Sequence, residues 1–375
     1  MYAHQHLQKR AYIETNVCAT HGAGVLPVSI ISASSRTRRW GSSFSRIPSP
    51  VSRIPISEVS VKNVLAVDIG GTHFRTGLFD EQGRRLMVLE GDTDRAAGRD
   101  WMLSQLAARC RELMAQTDAP VNACGLSFGG PVDFRSQSVT SVHSSGWKGF
   151  ELGKWMEQAL GIPCRLDNDA NAGALGEYHY GAGRGAKMMV YITISTGIGS
   201  GIVYEGKLLR GKDYMAGELG HIVVSDSGAR CSCGGRGCLE SFSSGGAIET
   251  RAREWAERRP EHVARMVELS GGPEITAKAL MQAAAEGDVP ATHILHETMR
   301  WLARGLLMVI RILNPDVIVL GGGVAQSGVL LLDTLHGFLD ELASPTITYS
   351  TEIVTAALGN YSPLYGAAAM GLDAC

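Results

Sequence analysis

The chain has 375 residues, 45% of them hydrophobic, with 35 Lys and Arg against 37 Asp and Glu and a formal net charge of −2. That length can bury a large core, in two domains or in one domain with two lobes. The near-even charge balance gives no global field for nucleic acid or a membrane surface, and the long apolar segment 302–313 is interrupted by Arg304 and Arg311, short of a membrane span.

Of the eight cysteines, Cys231, Cys233 and Cys238 are clustered and the other five are scattered. That usage predicts a metal site in a reducing, cytoplasmic compartment, not a secreted disulfide framework.

Residues 1–60 are rich in Ser, Arg and Pro, poor in acids, and without helix or strand period. Arg36, Arg38, Arg39, Arg46 and Arg53 would suit a transit peptide or a nucleic-acid arm. The expected reading is instead a disordered N-terminal extension, or sequence upstream of the true start, and no helix-turn-helix pattern is visible there.

Ordered sequence is expected from Val61. Three successive strands, joined by glycine turns at Gly70–Gly71 and near Gly83, lead to an amphipathic helix over 100–116, with Trp101, Leu103, Leu106, Leu113 and Met114 on one side. A buried strand at 123–128, the turn Gly129–Gly130–Pro131, a helix over 150–160 and a short strand ending at Leu166 complete a βββαβα order, which suits a sheet with helices on both faces. A related pattern then returns. A buried strand over 188–195 meets a turn at 196–199, a second strand at 201–204, and further strands through 221–224. Two strand–glycine–strand hairpins suggest a duplicated α/β core with a cleft between its halves, where backbone N–H groups can face a polyphosphate from both sides.

The run Gly197-Ile198-Gly199-Ser200-Gly201 is not a dinucleotide fingerprint, since that motif needs a helix directly after the glycines and β-prone residues follow here. A P-loop is excluded too, because no Gly-Lys-Ser/Thr occurs. The segment Asp68-Ile69-Gly70-Gly71-Thr72 could be an ordinary hairpin turn, yet a carboxylate ending an apolar strand is well placed to hold Mg²⁺ through water. At Asp167-Asn168-Asp169-Ala170-Asn171, one side chain can cap the following helix (170–178). Three consecutive Asp and Asn residues exceed what capping needs, and a carboxylate there can take the proton of an attacking hydroxyl.

The segment 216–240 gathers Glu218, His221, Cys231, Cys233, Cys238 and Glu240. His221 and the three cysteines form a donor set suited to tetrahedral zinc. The two glutamates fit no ligand position, so a second use is expected for them.

These motifs together resemble the ROK family of sugar kinases and sugar-responsive repressors, within the hexokinase–actin-like ATPase fold. The resemblance runs from Val64 to the C-terminus and rests on DIGGT (68–72), NDAN (168–171), the glycines of 194–221, GELGH (217–221), CxCGxxGCxE (231–240) and GGGV (321–324). It implies a two-lobed α/β fold of duplicated RNase H-like halves with a central cleft and a zinc-binding loop. The implied small lobe is 61–166 plus 361–375, and the large lobe is 167–360. It implies Asp169 as catalytic base, with Asn168, Glu218, His221, Glu240 and Gly130 on the sugar side. His221, Cys231, Cys233 and Cys238 would bind structural zinc. ATP and Mg²⁺ would meet Asp68, Gly70, Gly71, Thr72, Ser195, Thr196 and Gly197, with Gly321, Gly322 and Gly323 on the adenosine side. A homodimer or homotetramer acting on a hexose is the implied assembly, with no nucleic-acid or membrane partner.

Helices around 249–258, 276–286 and 292–313 and a terminal helix over 363–372 look structural, as do His262, His293 and His296. The turn Gly129–Asp133 resembles the glucokinase-like members more than the N-acetylmannosamine kinases, whose equivalent turn carries a basic residue. Glucose is therefore the expected substrate. N-acetylmannosamine, N-acetylglucosamine or fructose kinases, and a sugar-responsive regulator, are the alternatives.

Overall fold

Two five-stranded sheets carry the architecture. The computed structural model describes residues 62–140 and 146–375, so the expectations for residues 1–60 and for Val61 lie outside the described residues. In chain order the strands are β1 (Asn63–Ile69), β2 (His73–Asp80), β3 (Arg85–Asp92), β4 (Val121–Phe128), β5 (Val132–Asp133), β6 (Ser138–Val139), β7 (Cys164–Asn168), β8 (Met188–Ile194), β9 (Ile198–Tyr204), β10 (Lys207–Leu208), β11 (Val317–Gly321) and β12 (Glu352–Thr355). The helices are α1 (Gly98–Ala115), α2 (Leu152–Leu160), α3 (Asp169–Tyr180), α4 (Glu240–Ser243), α5 (Gly245–Arg258), α6 (Ala264–Ser270), α7 (Ala277–Ala285), α8 (Val289–Leu313), α9 (Val329–Leu342) and α10 (Ser362–Asp373). None of them is long and apolar enough to cross a membrane.

The first sheet runs β3-β2-β1-β4-β7 and the second β10-β9-β8-β11-β12. In each, two antiparallel pairings are followed by two parallel ones. β5 and β6 form a separate hairpin beside β7.

The central strand β1 shows why the sheets are covered on both faces. Leu65, Val67 and Ile69 pack with Met102, Leu103, Leu106 and Leu113 of α1, while Val64 and Ala66 pack with Leu364, Ala367 and Ala368 of α10. A strand buried on both sides reads as a continuous apolar run, and each large side chain so buried contributes about 1.5–3 kcal/mol. Asp68 is the exception inside that run.

α3 and α10 approach closely through small residues. A Cβ on Gly366 would overlap the carbonyl of Ala172, and one on Gly125 the carbonyl of Ala367. Glu177, fully buried on α3, fixes the return of the chain to α10. Its carboxylate accepts bonds from the N–H groups of Ala182 at 2.8 Å, Leu358 at 3.0 Å and Ala357 at 3.1 Å, and from the Ser362 hydroxyl at 2.6 Å.

Several element bounds differ from the sequence reading for physical reasons. The turn expected at 196–199 is shorter: β9 begins at Ile198, and Gly199 and Gly201 lie within the strand. Their missing side chains make room for α3, since a Cβ on Gly201 would come within 2.7 Å of Ala174 Cβ and 2.8 Å of Ala170 O. No strand forms over 221–224. The chain instead makes a 3-10 turn at Leu219–His221, and Val223 bridges back to Cys238. β7 extends past Leu166 to Asn168 and α3 begins at Asp169.

The helix expected at 292–313 starts at Val289, because Pro290 is tolerated in a first turn where its missing N–H has no partner to lose. Asp288 caps that end by accepting the Ala291 N–H at 2.9 Å, and Asn314 closes the other in the left-handed conformation. The helix expected at 150–160 starts two residues later, at Leu152, and β5, β6, β12 and α6 had no sequence signal strong enough to read.

Candidate active site

A cavity of about 720 Å³ is lined from both sheets. The first contributes Asp68 and the Gly70–Thr72 turn; the second contributes Ser195, Thr196, Gly322 and Gly323. Of the residues expected on its nucleotide side, Gly321 and Gly197 fall elsewhere. Gly321 ends β11 buried against Tyr191, and a Cβ on Gly197 would meet Glu240 Oε2 at 2.5 Å. α7, expected to be structural, supplies Lys278, Met281 and Gln282 to the wall, and Glu249 of α5 joins them. Arg75 on β2 also lines the cavity, with Nη1 donating to the Asn360 carbonyl at 3.2 Å and lying 3.4 Å from Asp68 Oδ2.

Asp68 is 6% exposed and accepts a bond from Ser127 Oγ at 2.9 Å. Burial raises its pKa, opposed by Ser127 and by the Arg75 guanidinium. A single buried carboxylate at a polyphosphate-sized cleft, faced by a cation, fits a role in holding hydrated Mg²⁺.

Asp169 is the first residue of α3, directly after the β7 strand end. It does not line the large cavity. Its Oδ2 sits 3.8 Å from where a Gly129 Cβ would be, beside the Gly129 N–H that donates to Ile69 O at 2.8 Å. The residue is half-buried, yet enough protein surrounds the carboxyl that desolvation, followed by the negative charge of Asp68, pushes its pKa up to about 7. Asn168 caps α3 by accepting the Asn171 N–H at 2.7 Å, which commits its Oδ1 and leaves its amide N–H₂ available.

The segments carrying Glu218, His221 and Glu240 converge on the start of β9. Ile198 N–H donates to Glu240 Oε2 at 3.0 Å. Gly220 packs against the Ile198 carbonyl, and a Cβ on Gly199 would stand 3.1 Å from Ala170 Cβ, next to Asp169. β9 therefore ties the glutamate–histidine segment to the first turn of α3. Ser232 Oγ also donates to Glu240 Oε1 at 2.7 Å.

Among the described residues, His221, Cys231, Cys233 and Cys238 are the cluster able to hold a metal, all four donor atoms lying within 4.8 Å of one another. A tetrahedron with Zn–S bonds of about 2.3 Å and a Zn–N bond of about 2.0 Å spaces its donors roughly 3.5–3.8 Å apart. Cys233 Sγ and Cys238 Sγ are 3.8 Å apart, and Cys231 Sγ lies 3.5 Å from His221 Nδ1. The donor chemistry and spacing both fit zinc. His221 Nε2 faces the other way, 3.8 Å from Glu218 Oε2.

The ROK family pattern matches residues 64–374. The glucokinase of Thermotoga maritima is 35% identical over 82% of this chain and 96% of its own length. The xylose repressor of Caldicellulosiruptor bescii is 26% identical over 83% of this chain and 78% of its own. The crystal structure of a ROK family glucokinase from Streptomyces griseus in complex with glucose and AMPPNP aligns with a TM-score of 0.74 at 33% identity, covering 83% of this chain and 99% of that one. The motifs, the two sheets and these likenesses agree, and the chain belongs to the ROK family.

Proposed function

We propose that this protein is an ATP-dependent hexose kinase that phosphorylates the primary hydroxyl of glucose. The observation that carries the reading is Asp169 at the start of α3: a half-buried carboxyl with its pKa pushed up to about 7, within reach of the charge of Asp68, which lines a cavity of nucleotide size. Glucokinase likeness over nearly the whole length of the relatives supports the same activity.

In this mechanism Asp169 accepts the proton of the sugar hydroxyl as its oxygen bonds to the γ-phosphorus and the bond to the β,γ-bridging oxygen breaks, releasing ADP. Asn168, Glu218, His221, Glu240 and the Gly130 turn hold the sugar, since carboxylates and amides match hydroxyls that both donate and accept. Asp68, Gly70–Thr72, Ser195, Thr196 and Arg75 meet the phosphates, and Gly322, Gly323 and α7 meet the adenosine side. Mg²⁺ near Asp68, when bound, neutralises phosphate charge. Closure of the lobes excludes water that would compete with the sugar.

His221, Cys231, Cys233 and Cys238 would hold zinc, which would fix the loop that carries Glu240. His221 would ligate through Nδ1 and present Nε2 to the sugar. The two sheets are read as the halves of a duplicated actin-like ATPase fold, with lobes 62–166 plus 361–375 and 167–360; their shared strand order supports this.

The Gly129–Asp133 turn, which carries no basic residue and so resembles that of the glucokinase-like members, supports glucose over N-acetylated sugars as substrate. Replacing Asp169 by Asn tests the mechanism. Turnover should fall by about a thousandfold or more while sugar binding is largely kept, and near-normal turnover would remove Asp169 from the base role.

A further inference from the structure

The β7–α3 junction that carries the base is clamped from outside. Arg210 follows β10, and its Nε and Nη2 both donate to Asp167 Oδ2, at 3.0 and 2.8 Å. Asp167 is 1% exposed. Its Oδ1 accepts the Asn168 N–H and the Asn171 side-chain amide, both at 2.8 Å. Asn168 and Asn171 therefore stand fixed on either side of Asp169. A buried carboxylate so engaged depends on its cation, because an unpaired charge there would be unfavourable.

The guanidinium is itself held. It lies over the Phe134 ring, 3.9 Å from the centroid, on the turn between β5 and β6. Arg210 itself lines a second cavity of about 370 Å³, together with Phe134, Arg165, Leu175, Lys207 and Met370. Arg165 donates to the Cys164 carbonyl and Lys207 lines the cavity without a bond to Asp167. Arg210 also opens the segment that leads to Glu218, a loop closed by the Ala216 N–H donating to the Arg210 carbonyl at 3.0 Å. One residue thus joins the hairpin, the base-bearing junction and the approach to the sugar-side glutamate.

We propose that Arg210 is a positioning residue for phosphoryl transfer, acting through Asp167 to hold Asp169 in line with the sugar hydroxyl. This rests on the assignment of Asp169 as base. Arg is suited to the task because its planar fork makes two directed bonds and stacks on an aromatic face, neither of which Lys reproduces.

The test compares Arg210→Lys, the charge-free pair Arg210→Met/Asp167→Asn, Asp169→Asn, and Arg210→Lys combined with Asp169→Asn. The readouts are kcat, KM for MgATP, the dissociation constant for glucose and the melting temperature. Misplacing a reacting group by a fraction of an ångström to an ångström costs about tenfold to a hundredfold. Arg210→Lys and the charge-free pair should therefore lower kcat by about tenfold or more while the KM for MgATP stays within about threefold. In the Asp169→Asn background the Arg210→Lys change should alter the residual rate by less than about threefold, because the two residues act as one unit.

A kcat within about threefold of the parent in folded Arg210→Lys would overturn the proposal. So would an undiminished Arg210→Lys effect in the Asp169→Asn background. Near-normal turnover of Asp169→Asn alone would instead refute the base assignment on which the proposal stands.

Discussion

Asp68 lies close enough to Asp169 for its charge to raise the Asp169 pKa, and the two carboxylates are held by different partners. Desolvation and the Asp68 charge push Asp169 up to about 7, whereas Ser127 and Arg75 bond Asp68 and partly offset the effect of its burial. A general base works best with a pKa near the operating pH. On the proposed mechanism the pair divides the work: one carboxylate takes a proton and the other faces the phosphates.

That division sets the pH profile. Only ionised Asp169 can accept the hydroxyl proton, so kcat/KM for glucose should fall as pH drops below about 7. The acid limb of kcat should lie lower still, because a cation at Asp68 in the complex offsets one of the two causes of the shift. Initial rates from pH 5 to 9, at limiting and saturating sugar, measure both limbs; a flat profile through neutrality would contradict the assignment.

The same shift makes a stability prediction. A carboxyl whose folded pKa is raised favours the folded state fully below its unfolded value of 3.8, and that contribution is lost as pH rises to about 7. The Asp169→Asn protein should therefore melt higher than the parent at pH 8, where the parent holds an ionised carboxylate in a poorly hydrated place. At pH 4 the two should melt together. Thermal unfolding at the two pH values checks the sign, and an equal gap at both would show that ionisation is not the cause.

Zinc and sugar binding should be coupled through His221. With Nδ1 toward Cys231 and Nε2 toward Glu218, loss of the metal frees the ring and the loop bearing Glu240. Chelated, demonstrably metal-free protein should bind glucose about tenfold more weakly or worse, as should Cys238→Ala. Titration calorimetry on preparations of measured zinc content reads this, and unchanged affinity in zinc-free protein would uncouple the two.

Glu177 offers a prediction away from the chemistry. Its buried carboxylate satisfies three backbone N–H groups and the Ser362 hydroxyl, so Glu177→Ala leaves those donors without partners. The expected loss is about 3–5 kcal/mol in denaturant unfolding, from a position with no part in substrate binding.

The motifs were legible because their chemistry is local. Asp68 interrupts an apolar strand, Asn168 and Asp169 crowd a strand end, and four metal donors lie within eighteen residues of sequence. What was not legible depended on distant packing. Gly199 read as part of a turn because nothing in its neighbourhood announces that α3 lies against it. α7 read as a core helix because its alanines and Leu280 dominate the pattern, although Lys278 and Gln282 face the cleft. Arg75 sits three residues after Thr72, and an arginine at that spacing in a strand entering the cleft was a signal available in the sequence. Arg210 carried no such signal, since its partner Asp167 is 43 residues away.

Incubation of the protein with MgATP and glucose, followed by phosphorus NMR of the products, tests the central claim most directly. Equal amounts of ADP and glucose 6-phosphate should accumulate, with glucose favoured in kcat/KM by about tenfold or more over N-acetylglucosamine, N-acetylmannosamine, mannose and fructose. Glucose binding without phosphoryl transfer, in protein with its zinc in place, would contradict the kinase reading and leave a sugar-responsive binding protein.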